Sequence, residues 1–474
     1  MKTTSVSTPG RDALRRTRSR SAWRTSSVRS WASSQGGAAS LRNGLPPPGY
    51  SQELGERVGP AGATVAQTTL NVFNVYVGIG VVSLAGAFNQ GGYLSVVGLV
   101  LAGTLFCFSA YCMVKGFDAL PAGVPATYPE LGKHVAGETG RWFAVVVSML
   151  EFSGAAFATI IVVWKQIQVL VEECGYSRAA PSSRHLAELV GTALILPSIL
   201  LDNFVLLSYL GGLSLVCCFL LVAAVLFTLV LDPHRAHACP VNFDGPCPPD
   251  HDLGTWGIAS ATGIFAMALS GHAALPSIRA SMKEPEKFKL ALPMSFGAMV
   301  LTYTMIGLVG YVYFGKAATA LITADIANFS VLAGQPLFGR HFTVDMLLNL
   351  LVALNAYATV APVIMVTLDM LNEASPTVAR YAGKSAVRRT SRVVLFAFFA
   401  LVSHLAYNKL LTVESLTGGV LSMTSSLLLP VLFLYWIYRK GLSRWKRTGL
   451  AAILVFGLCM AVLITTESIL DLVD

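Results

Sequence analysis

Apolar residues in this chain gather into runs of about twenty, long enough to cross a bilayer as helices, with polar segments between them. Eleven spans are predicted: Val65–Asn89, Tyr93–Gly116, Arg141–Leu170, Leu186–Leu201, Phe204–Leu231, Trp256–Ser277, Ala291–Phe314, Phe342–Leu371, Arg392–Asn408, Leu416–Tyr438 and Gly449–Thr466. The fourth is the shortest and carries Pro197. Two runs are interrupted by glycine halfway along and occupy corresponding places in the two halves of the chain. Val65–Gln90 breaks at Gly78-Ile79-Gly80, and Trp256–Ile278 breaks at Ser270-Gly271-His272. A helix broken inside a membrane exposes N–H and C=O groups that lipid cannot satisfy, so the break persists only inside protein or beside a polar cavity. Paired breaks in the two halves point to the midplane binding site of a secondary transporter.

Composition narrows the class. Of 474 residues, 54% are hydrophobic and 12% charged, where a soluble domain carries roughly a quarter charged residues. A cytosolic enzyme fold is excluded. The net charge of +9 does not indicate nucleic acid, because the basic residues sit in one tail and in alternate loops, which is a topology signal. Residues 1–64 have no apolar run long enough for a signal peptide; their Arg- and Ser-rich, acid-poor composition suits a disordered cytosolic tail and also resembles an organelle transit peptide. With that tail cytosolic, the inside loops and their flanks hold seventeen Lys and Arg and the opposite loops six, a positive-inside bias. Residues 65–466 then form the transmembrane domain and 467–474 a short C-terminal tail. The one sequon, Asn328-Phe329-Ser330, falls on the far side, where glycosylation would reach it. Five spans per half give the two halves opposite orientations. The expected fold is an all-α integral membrane protein: two inverted five-helix repeats, LeuT-like and APC-type, plus one extra helix.

Several segments carry a resemblance. Asn74-Val-Tyr-Val-Gly78-Ile-Gly80 followed by Gly91-Gly92-Tyr93, Thr127-Tyr128-Pro129-Glu130-Leu131-Gly132, Leu207-Ser208-Tyr209-Leu210-Gly211-Gly212, and Ser270-Gly271-His272 with Pro276 and Ser281-Met282-Lys283-Glu284-Pro285 together resemble the amino acid/auxin permease family, and within it the vacuolar amino acid transporter branch. The likeness covers roughly residues 65–465 in order. One departure is Ala85-Gly86, where family members often have proline. The resemblance implies proton-driven amino acid transport on a vacuolar or other internal membrane, and it implies an asparagine at the position of Asn74 that serves an ion site in sodium-coupled relatives.

The chemistry expected at the breaks follows from an amino acid's two charges. The positive N-terminal end of a half-helix suits a carboxylate, with Gly78, Ile79, Gly80 and Val81 as donors. Carbonyls of Ala268, Leu269 or Ser270, beside Gly271, suit an ammonium. Glycines in spans also simply permit close helix packing. Asn74 could bind an ion, orient the break or bond across helices. Glu151 is read as the one carboxylate well inside a span; burial there costs about 2.5–3.5 kcal/mol for a charge, so it is expected to be protonated, paired or proton-coupling. His272 titrates near physiological pH and could carry the coupled proton, or could cap a helix end. Asn355, Tyr357 and Thr359 are possible pore-lining residues. Lys165 can snorkel to the interface, and His404 reads as structural.

Cys107, Cys112, Cys217, Cys218 and Cys459 read as small apolar residues. Cys174, Cys239 and Cys247 lie on the far side, where a disulfide persists; the resemblance would pair Cys174 with the loop that holds the other two. His234, His237 and His251 have irregular spacing, and no metal site is assigned. No cofactor, phosphate-binding loop or catalytic triad is expected. The partners expected are an amino acid, the proton and the bilayer, with no nucleic acid. Other readings stay open at this stage: an amino acid sensor signalling through the tail, a carrier of auxin or another small organic acid, or a membrane enzyme acting on lipid.

Overall fold

A computed structural model describes residues 63–78, 80–121, 123–173, 181–200, 204–231, 250–329, 334–338, 342–374 and 385–473. The first broken span is α1 (Val65–Tyr76) and α2 (Gly80–Gly91), which diverge by 61°. Helix α1 starts with a capping box: Thr64 Oγ1 accepts from the Gln67 N–H, and Gln67 Oε1 accepts from the Thr64 N–H, which satisfies two donors that a helix start otherwise leaves free. Then come α3 (Ser95–Phe117), α4 (Tyr128–Glu173), α5 (Pro181–Ile199) and α6 (Phe204–Leu231). The second broken span is α7 (Ile258–Ala268), a single 3₁₀ turn (His272–Ala274) and α8 (Leu275–Ala280). It is followed by α9 (Phe288–Phe314), α10 (Ile322–Phe329), a two-stranded antiparallel hairpin of β1 (Pro336–Phe338) and β2 (Phe342–Thr343), and α11 (Val344–Ala374). The last elements are α12 (Ser385–Leu405), α13 (Leu410–Leu416), a π-helical stretch (Thr417–Leu428), α14 (Leu429–Tyr438) and α15 (Arg444–Val473).

Among the described residues, eight helices are long and apolar enough to cross a membrane, nine if α1 and α2 count as one span. The expected fourth and ninth spans are helices, α5 and α12, but they are not among those eight. Arg184 and Glu188 on α5, and Arg388, Arg389 and Arg392 on α12, lower their apolarity. Other boundaries move as well. The loop expected to end at residue 140 is helical from Tyr128, and α4 bends at Ala136 and Gly137, where Gly137 takes φ +66°. The tenth span starts at Leu410 instead of Leu416, which brings Glu414 inside a helix. The expectation that Glu151 is the one carboxylate within a span is therefore corrected.

The two broken spans run antiparallel, side by side. Ahead of α1, Ala63 exchanges backbone bonds with the segment after α8: its N–H donates to Ser281 O at 2.9 Å, and Lys283 N–H donates to Ala63 O at 3.0 Å. At the other end, Thr255 Oγ1 donates to Gln90 O, the last turn of α2. Between these ties α2 lies on α7, and a Cβ on Gly80 would come within 2.9 Å of Ala268 Cβ. In this arrangement 72% of the apolar window of Ile258–Ala280 is buried in protein, against 17% for that of α15, so the second broken span is central and α15 peripheral. Exposed leucines, valines and phenylalanines along α3, α9 and α15 are the apolar outside that a lipid-facing helix requires.

Polar ties hold the ends. Asp118, after α3, takes Lys289 Nζ at 2.8 Å and an Arg279 guanidinium nitrogen at 2.9 Å. Partial burial alone would push its carboxyl up; the two cations outweigh that and hold it below the usual carboxylate range. The π-helical stretch is seated by glycine: a Cβ on Gly418 would stand 1.7 Å from Gly263 O, so α7 and this stretch touch backbone to backbone. Overpacking a tight contact costs about 1–3 kcal/mol, and backbone cannot rotate away. Gly418→Ala is expected to lower the melting temperature and the yield of monodisperse protein. Gly297→Ala, on the lipid-exposed side of α9 with nothing within 4 Å of a Cβ, should leave both unchanged.

Candidate functional site

The first break sits at the C-terminal end of α1. Its last carbonyls lack helical partners, and the hydroxyl of Tyr303 on α9 answers one of them. That hydroxyl lies 3.0 Å from Tyr76 O and 3.0 Å from Ala268 O, so one O–H is shared between the ends of α1 and α7. Gly78 is partly buried; its N–H donates to Tyr76 O at 2.9 Å and so is engaged in this structure. Val81 is buried, and Ile79 lies outside the described residues.

The second break turns at Gly271, whose φ of +122° is a conformation that L side chains rarely adopt. Leu269 is buried. Ser270 Oγ donates to Met267 O at 2.7 Å and receives Ser422 Oγ at 3.0 Å. Beyond the turn, two backbone donors converge on one hydroxyl: Gly271 N–H and His272 N–H reach Ser426 Oγ at 3.2 and 3.3 Å. Ser426 Oγ donates in turn to Glu151 Oε1 at 2.9 Å. Glu151 is 3% exposed, and its Oε2 has no partner. Ser422, Ser425 and Ser270 also face the carboxyl. The start of a half-helix is thus bridged through serine to a buried acid.

His272 is fully buried with both ring nitrogens engaged. Nε2 lies 3.0 Å from Phe106 O, which can only accept, and Nδ1 lies 3.2 Å from Tyr76 Oη. A neutral ring, donating from Nε2 and accepting at Nδ1, satisfies both contacts. Tyr76 and His272 therefore link the first break to the second, and the carbonyl of Phe106 links both to α3. Asn74 is partly buried on α1 with its Oδ1 unpartnered, and no described bond joins it to this network.

The remaining expected residues lie elsewhere. Asn355 is buried on α11 and donates to Ser214 O of α6 at 3.3 Å, and Thr359 Oγ1 bonds Asn355 O within its own helix at 2.9 Å. Tyr357 is half-buried on the same helix, and none of the three joins the network at the breaks. Lys165 stands over the Tyr407 ring at 5.0 Å, and His404 Nδ1 meets Glu188 at 2.8 Å. His251 stacks on Tyr93 and bonds carbonyls of α9. Cys107, Cys112, Cys217, Cys218 and Cys459 are free thiols. Asn328 is exposed, while Ser330, Cys174, Cys239, Cys247, His234, His237 and the N-terminal tail lie outside the described residues.

Sequence reasoning missed Tyr76, Tyr303, Ser422, Ser426 and Glu414. For the serines a signal existed: Ser422, Thr424, Ser425 and Ser426 form a polar run inside an apolar span, which lipid would not tolerate on an outer face.

The sequence profile of the family described as transmembrane amino acid transporter protein matches residues 61–470. Among curated relatives, the chain is 27% identical to amino acid transporter AVT1D of Arabidopsis thaliana over 400 residues, 83% of this chain and 67% of that one. It is 25% identical to amino acid transporter AVT1C of the same plant, over 87% of this chain and 70% of that one. With amino acid transporter AVT3C it shares 23% identity over 90% of this chain and 95% of that one.

The bridging hydroxyl of Ser426 can be tested directly. Ser426→Ala leaves two backbone N–H groups and a carboxyl oxygen without their partner, and each such loss costs about 1–3 kcal/mol. The expected result is a clear drop in melting temperature of the detergent-purified protein. Thr424→Ala, which removes only a hydroxyl bonded to Val420 O of the preceding turn, should stay within about 0.5 kcal/mol.

Proposed function

The chain belongs to the transmembrane amino acid transporter family, and from that premise we propose that it carries amino acids by alternating access around its two helix breaks, coupled to protons. The observation that supports this reading most is the apposition of the breaks. Carbonyls at the ends of α1 and α7 meet at Tyr303, and N–H groups at the start of the second half-helix meet Ser426 and Glu151. Carbonyl ends suit an ammonium and N–H ends a carboxylate, so the two ends of an amino acid find complementary partners within one assembly. The residues proposed to hold it are Gly78, Ile79, Gly80 and Val81 on one break and Ala268, Leu269, Ser270 and Gly271 on the other.

In this reading Glu151 carries the coupled proton. An acid enclosed among hydroxyls, with one oxygen unpartnered, can be neutral in one conformation and charged in another. His272, with both nitrogens committed, orients the second break. The fold we propose is the two inverted repeats of five helices plus one, with the N-terminal tail cytosolic and the protein on a vacuolar or other internal membrane. The antiparallel course of the two broken spans supports the inverted arrangement.

Purified protein in liposomes, given a pH gradient and a pool of radiolabelled proteinogenic amino acids, tests the function. Accumulation that collapses with a protonophore is the expected outcome; absence of uptake for every amino acid sinks the proposal. Gly80→Val forces two methyl groups against Ala268. Since overpacking costs about 1–3 kcal/mol, affinity should fall by about tenfold or more. Glu151→Gln should lose accumulation driven by the gradient while keeping counterflow exchange at equal pH. Unchanged accumulation in that variant would remove Glu151 from the coupling role.

A further inference from the structure

A second acid lies buried outside the network just described. Glu414, on α13, is 1% exposed. Ser83 Oγ on α2 donates to its Oε1 at 3.0 Å, and Oε2 has no partner. The position of this pair is what gives it meaning. Ser83 lies one turn beyond Gly80, where α2 starts after the first break. Glu414 lies one turn before the π-helical stretch, whose Ser422 and Ser426 hold the second break. One hydrogen bond therefore connects the start of α2, just after one break, to the element that supports the other.

The surroundings supply no counter-charge. Helix α13 packs on α2, α4, α7, the π-helical stretch and α15. Of these, α2, α7 and the π-helical stretch contain no titratable side chain. On α4, Glu151 is engaged with Ser426 and Lys165 with the Tyr407 ring. On α15, Glu467 takes the Ser260 N–H, and Asp471 lines a polar pocket with Lys165, Lys409 and Leu410 at the other end of α13. None of these acts on Glu414, whose one polar partner among the described residues is Ser83. A charge in such a place is costly unless paired. The neutral acid fits; the carboxylate calls for water or for movement.

We propose that Glu414 and Ser83 form a proton-operated latch. While Glu414 is protonated it stays buried and holds α2 against α13 through Ser83. When the proton leaves, the carboxylate, though a stronger acceptor for Ser83, draws in water and parts the two helices. The proton is the ligand, and the consequence is local: α2 loosens at the first break while α7 keeps its own contacts. The latch deepens the transport reading, on which its part in coupling rests. The latch itself is testable without any transport.

The test is hydrogen exchange of the 80–91 segment in the full-length protein in lipid, measured across pH. Comparing wild type with Glu414→Gln at each pH cancels the intrinsic effect of pH on exchange. Glutamine imitates the neutral acid and still accepts from Ser83. Wild-type α2 should exchange about fivefold faster than the variant at alkaline pH, the factor that about 1 kcal/mol of weakened helix contact gives, and equally at acid pH. Ser83→Ala should exchange fast at every pH. Identical profiles for wild type and Glu414→Gln overturn the latch. Should Glu414→Gln fail to fold, a wild-type profile in Ser83→Ala overturns it equally. A protein that carries no amino acid but shows these exchange profiles keeps the latch and loses the transport reading.

Discussion

A helix interrupted inside a membrane must find new partners for its freed backbone groups, and this protein is organised around that need. Two interruptions are placed side by side so that a few hydroxyls serve both. Tyr303 shares one O–H between the carbonyl ends of α1 and α7. Ser426 accepts from two N–H groups of the second break and donates its O–H to Glu151. Either break alone would demand its own set of polar side chains, each with a desolvation cost. Glu151 Oε2 and Glu414 Oε2 are among the buried polar atoms that keep no partner.

Packing is what allows the economy of partners. Gly80 against Ala268 and Gly418 against Gly263 bring backbones into contact, close enough for main-chain groups on α7 to meet side chains from α9 and the π-helical stretch. Glycine at these two contacts serves approach; Gly271, where a Cβ would meet Tyr76 only at 3.8 Å, serves the turn through its φ of +122°. Of the helices that complete the site, α3 brings the Phe106 carbonyl and α4 the Glu151 side chain. An aromatic layer of Tyr76, Phe106, Phe296 and His272, ring edges against ring faces, fills the space between them.

Much of this was legible in the sequence, and the failures have physical causes. Both breaks could be read because glycine pairs in long apolar runs have few explanations. Glu151 could be read because a lone acid in lipid demands one. Glu414 could not, since a helix boundary read from hydropathy falls where polarity rises, and Glu414 itself raised it. Tyr303 reads as one more aromatic in an apolar helix, and its function depends on a hydroxyl whose partners lie 227 and 35 residues away. The Phe106 carbonyl that fixes His272 leaves no trace in sequence at all, because any residue there would offer the same oxygen. The charged turns of α5 and α12 lower the apolarity of two segments whose pattern reads as a span.

The π-helical stretch from Thr417 to Leu428 closes its hydrogen bonds over i to i+5, so its twelve residues form a wider, shorter coil than an α-helix of the same sequence. Its shape is held from outside: Tyr128 on α4 donates to Ser425 O, and Ser109 on α3 donates to Ser426 O. The stretch therefore contains slack. Rewinding a few of its residues into ordinary α-helix would lengthen the span, push α13 or α14 along its axis, and rotate Ser422 and Ser426 away from the second break. In a protein whose second break is gripped by those serines, a reserve of chain length lies within the grip itself.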